Sequence, residues 1–425
     1  MTAGVAALSA LAALAACSSP APDGGLSTPE AEAPRAFDGV VGRDWVEIDT
    51  AGDVFDDVSR IDYGLGALWA MRNDTLLTST DAVTWTEVPL DPRRPAGASE
   101  FPPLLYFDEE RIVVAERDSG GAAPWIAIGD GSDWDFFSPD EIGSPVVTGD
   151  SPLSIRNVVD IAPVGDSLLF LVGVNWEDPG RGTVPCSCTA PLVLHPDGSS
   201  EWVAVENSLL GTPNNSFASH DLLLVDDGVL LITMGTRDDE AGVGIQTFFS
   251  ANGIDWVDRT APSIALSGTN ILAPVVRKNS RWLTAATVRD GEVTEPDRVV
   301  LLASDNGIDW EPVFYGGDDE YDAPQGSIGA TVASDDGFFV FLSHPRLRAT
   351  DVLYSADTVE WTTFREAFQF ETPIVVDSIV AVEGGLIALS RHLPLTTETP
   401  SRLWVSGATP YTPEQPEDED SSGND

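Results

Sequence analysis

Ser250-Ala251-Asn252-Gly253-Ile254-Asp255-Trp256 and Ser304-Asp305-Asn306-Gly307-Ile308-Asp309-Trp310 agree at six of seven positions. Each follows an apolar run, Thr247-Phe248-Phe249 in the first and Val300-Leu301-Leu302-Ala303 in the second, and each ends in Trp before another short run. The pattern reads as two strands joined by a tight polar turn. The Ser and Asn oxygens can accept hydrogen bonds from the turn's own amides. Gly reaches positive φ without steric cost, and Trp supplies a large apolar surface to wedge between neighbouring sheets.

Weaker copies occur elsewhere. They are Ser79-Thr80-Asp81-Ala82-Val83-Thr84-Trp85, Asp130-Gly131-Ser132-Asp133-Trp134, Asp197-Gly198-Ser199-Ser200-Glu201-Trp202 and Ser355-Ala356-Asp357-Thr358-Val359-Glu360-Trp361. The second lacks the Ser, and the third is one residue longer between Asp and Trp. Successive Trp positions lie 49, 68, 54, 54 and 51 residues apart, a period that means a propeller or solenoid. The six copies resemble the Asp box (bacterial neuraminidase repeat) of a β-propeller family that includes the sialidases. The resemblance implies a structural turn at each box and is specific for fold, not for function.

Asp44-Trp45-Val46-Glu47-Ile48 looks like the strand after a box, but no box precedes it. Arg402-Leu403-Trp404-Val405-Ser406 looks like the strand before one, but no Trp follows. Pairing these two pieces closes a ring and removes its open edge. Seven apolar runs mark second strands: Gly66–Met71, Arg111–Ala115, Ser167–Val174, Gly228–Met234, Arg281–Val288, Gly337–Leu342 and Gly385–Leu389. First strands precede them, as at Val158–Ala162, Leu222–Val225 and Ile379–Val382. Six box-bearing blades and the closing blade give an all-β, seven-bladed propeller over residues 40–412 with little helix.

The 425 residues carry 22 basic and 69 acidic side chains, a net charge of −47. That balance argues against nucleic acid or anionic lipid as a partner, since both need a basic footprint. Lys278 is the single lysine, and the Arg bias is read as genome composition. Residues 1–17 resemble a bacterial lipoprotein signal ending in the lipobox Leu14-Ala15-Ala16-Cys17, with Cys17 as the lipidated residue. The first basic residue is Arg35, so the charged start of such a signal is missing and a start codon upstream is the expectation; a plain secretory signal or a weak membrane helix is the alternative. Residues 18–39 read as a tether rich in Pro, Ala, Gly, Ser and Glu, and 413–425 as a solvated acidic tail. The address is extracytoplasmic, lipid-anchored or secreted, with the membrane touched only through the anchor. Cys186 and Cys188 could form a tight disulfide in an oxidising compartment, with free thiols and then metal as alternatives.

Turns between third and fourth strands share one face; loops between second and third strands, and between blades, share the other. The second face carries the longer loops and is the expected ligand face. The sialidase resemblance implies an arginine triad, a Tyr–Glu pair, an Asp acid and an aromatic-Arg-Ile-Pro motif, of which Arg60-Ile61-Asp62-Tyr63 is the nearest string. Candidate arginines on that face are Arg181, Arg237, Arg289, Arg346 and Arg348. Tyr315 and Tyr321 flank Asp318-Asp319-Glu320, followed by Asp322; this loop reads as solvated, with calcium as the alternative. His195, His220, His344 and His392 are scattered, and no catalytic metal or nucleotide motif is present, so no cofactor or metal is expected. The catalytic residues, if any, are unassigned. The favoured reading is a monomeric surface propeller that binds or scaffolds a protein or glycan. An exo-glycosidase of the sialidase type and an envelope assembly factor are the competitors.

Overall fold

The computed structural model describes residues 37, 39–50, 58–72, 75–90, 103–108, 110–116, 125–143, 153–178, 182–203, 220–236, 243–260, 271–288, 298–315, 327–344, 349–369, 374–392 and 401–412. The signal, most of the tether and the tail lie outside them. Apolar runs separated by turn peptides form seven antiparallel sheets, which are the blades of a seven-bladed β-propeller. The innermost strands, in blade order, are Val58–Gly64, Leu104–Phe107, Leu153–Val164, His220–Val225, the pair Ile271–Leu272 and Val276–Lys278, Ser327–Ala333, and Ile374–Val382. The second strand Arg281–Val288 has the bounds read from sequence, whereas Ser167–Asp178 runs four residues longer. Among the described residues the one helix is the single turn Pro139–Ile142.

The second and third strands are apolar on both faces because each blade is covered by a neighbour on either side. The buried side chains fall into seven clusters, one at every seam between adjacent blades. The repeat tryptophans explain this order. Trp85, Trp134, Trp202, Trp256, Trp310 and Trp361 each join the cluster between their own blade and the preceding one. Each indole therefore packs across a seam and not within its own sheet.

The turn carboxylate or amide organises the turn as its chemistry requires. Asn306 Oδ1 accepts the Ile308 and Asp309 amides at 2.8 Å each. Asp81 accepts those of Val83 and Thr84 at 2.8 and 2.6 Å, and Asp130 those of Ser132 and Asp133 at 2.7 and 3.0 Å. At Asp357 the Val359 amide and its neighbours hold the carboxyl below its usual range. The next residue has positive φ in all six turns: Ala82, Gly131, Gly198, Gly253, Gly307 and Thr358. Four turns fold the indole back, so that Trp85, Trp256, Trp310 and Trp361 donate to the carbonyl three residues earlier. The two copies that depart from the pattern behave differently. Trp134 and Trp202 are themselves strand residues and donate to Pro89 O and Ile142 O in the preceding part of the chain.

The ring closes as the terminal pieces suggest. Val46, Glu47 and Ile48 pair with Val405, Trp404 and Leu403, making Val46–Ile48 the outer strand of blade 7. The two terminal pieces together build a further turn, in which Val41 stands where the other six turns have Asp or Asn. Blade 7 has a seventh turn divided between the two ends of the propeller. Ser406 Oγ accepts the Gly42 amide at 2.8 Å, as Ser304 Oγ accepts that of Gly307 at 2.9 Å. Gly42 has φ +81°, and Trp45 Nε1 donates to its carbonyl at 3.1 Å. Trp45 then packs in the cluster between blades 6 and 7. This turn has no local spacing to show in the sequence, because its Ser stands 364 residues after its Gly.

Two predictions follow from these turns. Ser406→Ala leaves the buried Gly42 amide without its acceptor and removes the hydroxyl's bond to Asp44 O. It is expected to lower unfolding free energy by about 1–3 kcal/mol, read from urea midpoints. A Cβ at Gly307 would meet Leu230 Cδ1 at 2.7 Å, whereas at Gly198 the nearest atom is 3.5 Å away. Gly198→Ala therefore carries only the left-handed backbone cost of about 1–2 kcal/mol, and Gly307→Ala is expected to exceed it.

Candidate functional site

The inner strands line a central channel, and several are bulged. Register shifts occur between Val58 and Arg60, Val158 and Asp160, Ile328 and Ala330, and Val376 and Ser378. A bulge re-aims the side chain that follows it. The residues at issue stand four before the end of their inner strands: Arg60, Asp160, Asp221 and Ser378.

Three of these four reach the backbone of the next blade. Asp160 Oδ2 accepts the Leu222 amide at 2.6 Å, and its Oδ1 accepts that of Ile161 at 2.8 Å. Asp221 Oδ2 accepts the Val275 amide at 3.3 Å. Ser378 Oγ donates to Ile61 O at 2.9 Å. Blade 6 answers from another position, where Thr331 Oγ1 donates to Pro274 O at 2.5 Å. Arg60 instead forks onto Asp62, with Nε to Oδ2 at 2.7 Å and Nη2 to Oδ1 at 2.9 Å.

Protein surrounds these carboxylates although both keep some contact with the channel solvent. Burial pushes Asp160 up to about 6, against the pull of the Leu222 and Ile161 amides and the Arg60 charge. Burial and then the Asp160 charge push Asp221 up to about 8. Burial also raises Asp62 despite Arg60. Tyr106, half-buried on the inner strand of blade 2, is raised to about 12 by burial and then by Asp108, with Asp160 adding to it. Burial thus favours the protonated form of both acids, and more strongly that of Asp221, which also faces the Asp160 charge.

The residues singled out from sequence are placed as follows. Arg181, Arg237, Arg289, Arg346, Arg348, Asp318, Asp319, Glu320, Tyr321, Asp322 and Cys17 lie outside the described residues. Tyr315 ends the strand Glu311–Tyr315, and Cys186 and Cys188 lie in Gly182–Leu194, but their side chains are outside the description, as are those of His220, His344 and His392. His195 Nδ1 meets Ser167 Oγ at 3.2 Å beside its turn, a structural contact. Among the described residues no group of three or more His, Cys, Asp or Glu is disposed to hold a metal. Asp160 and Asp221 were not singled out from sequence. The available signal was a carboxylate inside an apolar strand, where β-propensity disfavours it.

No protein-family model and no curated protein matches the chain. Solved structures do resemble it. The GH93 α-L-arabinofuranosidase of Fusarium graminearum with arabinobiose is 14% identical over 86% of this chain and 97% of that chain, with a TM-score of 0.42. The Penicillium chrysogenum α-L-arabinanase is 13% identical over 86% and 98%, with a TM-score of 0.43. The Trypanosoma rangeli sialidase is 12% identical over 71% and 54%, with a TM-score of 0.41. At this level no residue role passes from them to this chain.

The channel acids make a pH prediction. Asp221 has a folded pKa of about 8 against an ordinary 3.8, so the folded state holds its proton more tightly than the unfolded state does. The resulting stabilisation is complete below the unfolded value and is lost as pH rises through 8. Asp221→Asn keeps an oxygen for the Val275 amide and carries no charge. It is expected to raise Tm at pH 8–9 and to change it little at pH 5. An equal shift at both pH values would contradict the assignment.

Proposed function

We propose that the protein is an extracytoplasmic binding or scaffold module, held at the cell surface through Cys17 and residues 18–39. Its repeated turns are Asp boxes used structurally, and its opposite loop face takes a protein or glycan ligand. The observation that supports a non-catalytic role most is the engagement of the channel's polar side chains. Asp160, Asp221, Ser378 and Thr331 each bond the backbone of an adjacent blade, and Arg60 is paired with Asp62. Groups so used hold blades in register and do not converge on a reacting atom. The net charge of −47 disfavours nucleic acid and anionic lipid as partners of the propeller itself.

A glycosidase reading is favoured by one observation, the two channel carboxylates with pKa values near 6 and 8 on adjacent blades. Glycoside hydrolysis uses a protonated and an ionised carboxyl in this way. The two readings separate in one assay. The full chain is tested on fluorogenic sialosides and aryl glycosides beside Asp160→Asn and Asp221→Asn. No turnover above the variants is expected. Turnover abolished by either substitution, in a protein that still melts cooperatively, would replace binding with catalysis. The address is tested separately by feeding cells an alkyne fatty acid. Label on the wild type and none on Cys17→Ser is expected, with release of the variant from the membrane fraction.

A further inference from the structure

On the face of the repeated turns the channel opens into a cavity of about 610 Å³. Its walls are the ends of inner strands and the turns after them: Tyr63 from blade 1, Arg277 and Lys278 from blade 5, Asp335 just after the inner strand of blade 6, and Glu383 just after that of blade 7. Arg277 also borders a second cavity of about 370 Å³ between blades 4 and 5, shared with Arg259.

The basic residues here are used unlike those elsewhere. In a chain with 69 acidic side chains, Arg43, Arg60, Arg72, Arg111, Arg281 and Arg402 each pair with a carboxylate. Lys278, Arg277 and Arg259 do not pair with one among the described residues. Arg277 stacks at 4.7 Å over Trp282 and gives Nε and Nη1 to the carbonyls of Asn279 and Leu224. Arg259 lies 3.8 Å over Phe249. Lys278, the single lysine, faces the channel mouth with Asp335 and Glu383 in the same walls but no ion pair to either. Asp226, Asp227 and Asp305 line the second cavity, and Asp305 is already held by Arg281.

The chain leaves the propeller at the rim of this mouth. Tyr411 is buried between blades 7 and 1 and meets Tyr63 edge-on at 6.5 Å. Residues 413–425 follow and carry six carboxylates: Glu414, Glu417, Asp418, Glu419, Asp420 and Asp425. Thirteen residues reach roughly 40 Å when extended, and a void of this volume is on the order of 10 Å wide. The acidic segment thus follows a residue packed on Tyr63 at the mouth and has the length to reach Lys278, Arg277 and Arg259, none of which pairs with a carboxylate among the described residues.

We infer that the channel mouth on the turn face docks an acidic peptide through Lys278, Arg277 and Arg259, and that residues 413–425 of the same chain are its occupant. The site lies opposite the ligand face proposed above and does not depend on that reading.

The single lysine makes the test direct. A zero-length carbodiimide couples a lysine amine to a carboxylate it touches, and peptide mass spectrometry identifies the partner. The expected product on the full chain joins Lys278 to Glu414–Asp420 within monomers, falls at least threefold in 0.5 M NaCl, and falls likewise in Arg277→Ala and Arg259→Ala. In a chain ending at Thr412, synthetic peptide 413–425 added in trans is expected to couple to Lys278. Three results would overturn the inference: coupling of Lys278 only to Asp335 or Glu383, tail coupling insensitive to salt and to both substitutions, or products found only as dimers whose yield rises with concentration. Near-wild-type Tm for the variants establishes that lost coupling is not lost folding.

Discussion

The rest of the ring depends on the joining of its two ends, a join made in part by the Ser406 hydroxyl. It accepts the Gly42 amide and donates to Asp44 O, joining residues more than 360 positions apart inside one turn. A propeller blade is covered only by its neighbours, so its core exists as a set of seams. Seven clusters serve seven seams here, and the one holding Ile48 and Leu403 beside Val58 and Leu77 exists only when the ends meet. Without that meeting blades 1 and 7 would each present an uncovered apolar face to water, at roughly 25 cal/mol for every Å² exposed. The three-residue strand Val46–Ile48 is short, but a hydrogen-bonded turn and the Arg402–Glu47 pair at 2.9 Å hold it in register.

Toward the axis the seams become polar. There Asp160, Asp221, Ser378 and Thr331 join neighbouring blades by hydrogen bonds to backbone in place of apolar packing. Asp160, Asp221 and Ser378 make this contact from one shared strand position, each to the residue one place further along in the next blade. Carboxylates in such surroundings are costly when ionised. For Asp221, burial and the Asp160 charge shift the balance toward the protonated acid, which lowers that cost. Asp160 keeps its charge with two amides and the nearby Arg60 to offset burial.

Much of the architecture was legible because it is local. A side-chain oxygen, a left-handed residue and a Trp fall within seven positions, and each has a separate physical reason to be there. The blade count and the pairing of the ends could be read from such units. The channel could not. Asp160 and Asp221 are 61 residues apart and become neighbours only once the ring curves, so their mutual effect has no signature in either strand. Trp134 and Trp202 stand in the two copies that depart from the pattern, and no local pattern identifies Pro89 and Ile142 as the partners of their indoles. The divided seventh turn was hidden in the same way: its Ser and its Gly-Arg-Asp-Trp are ordinary in isolation.

Closure by the two ends also sets a timetable. Glu47 and Arg402 stand 355 residues apart, and a ribosome adding about 5–20 residues per second needs roughly 20–70 s to cover that interval. Throughout it Val46–Ile48 has been made and has no strand to pair with, while blades 1 to 6 gain the sequence they need one after another. The last seam to form is therefore the one that joins the oldest part of the domain to the newest. An unclosed edge of this kind is where a second copy can pair during synthesis, so high expression is the condition under which this fold is most exposed to domain swapping.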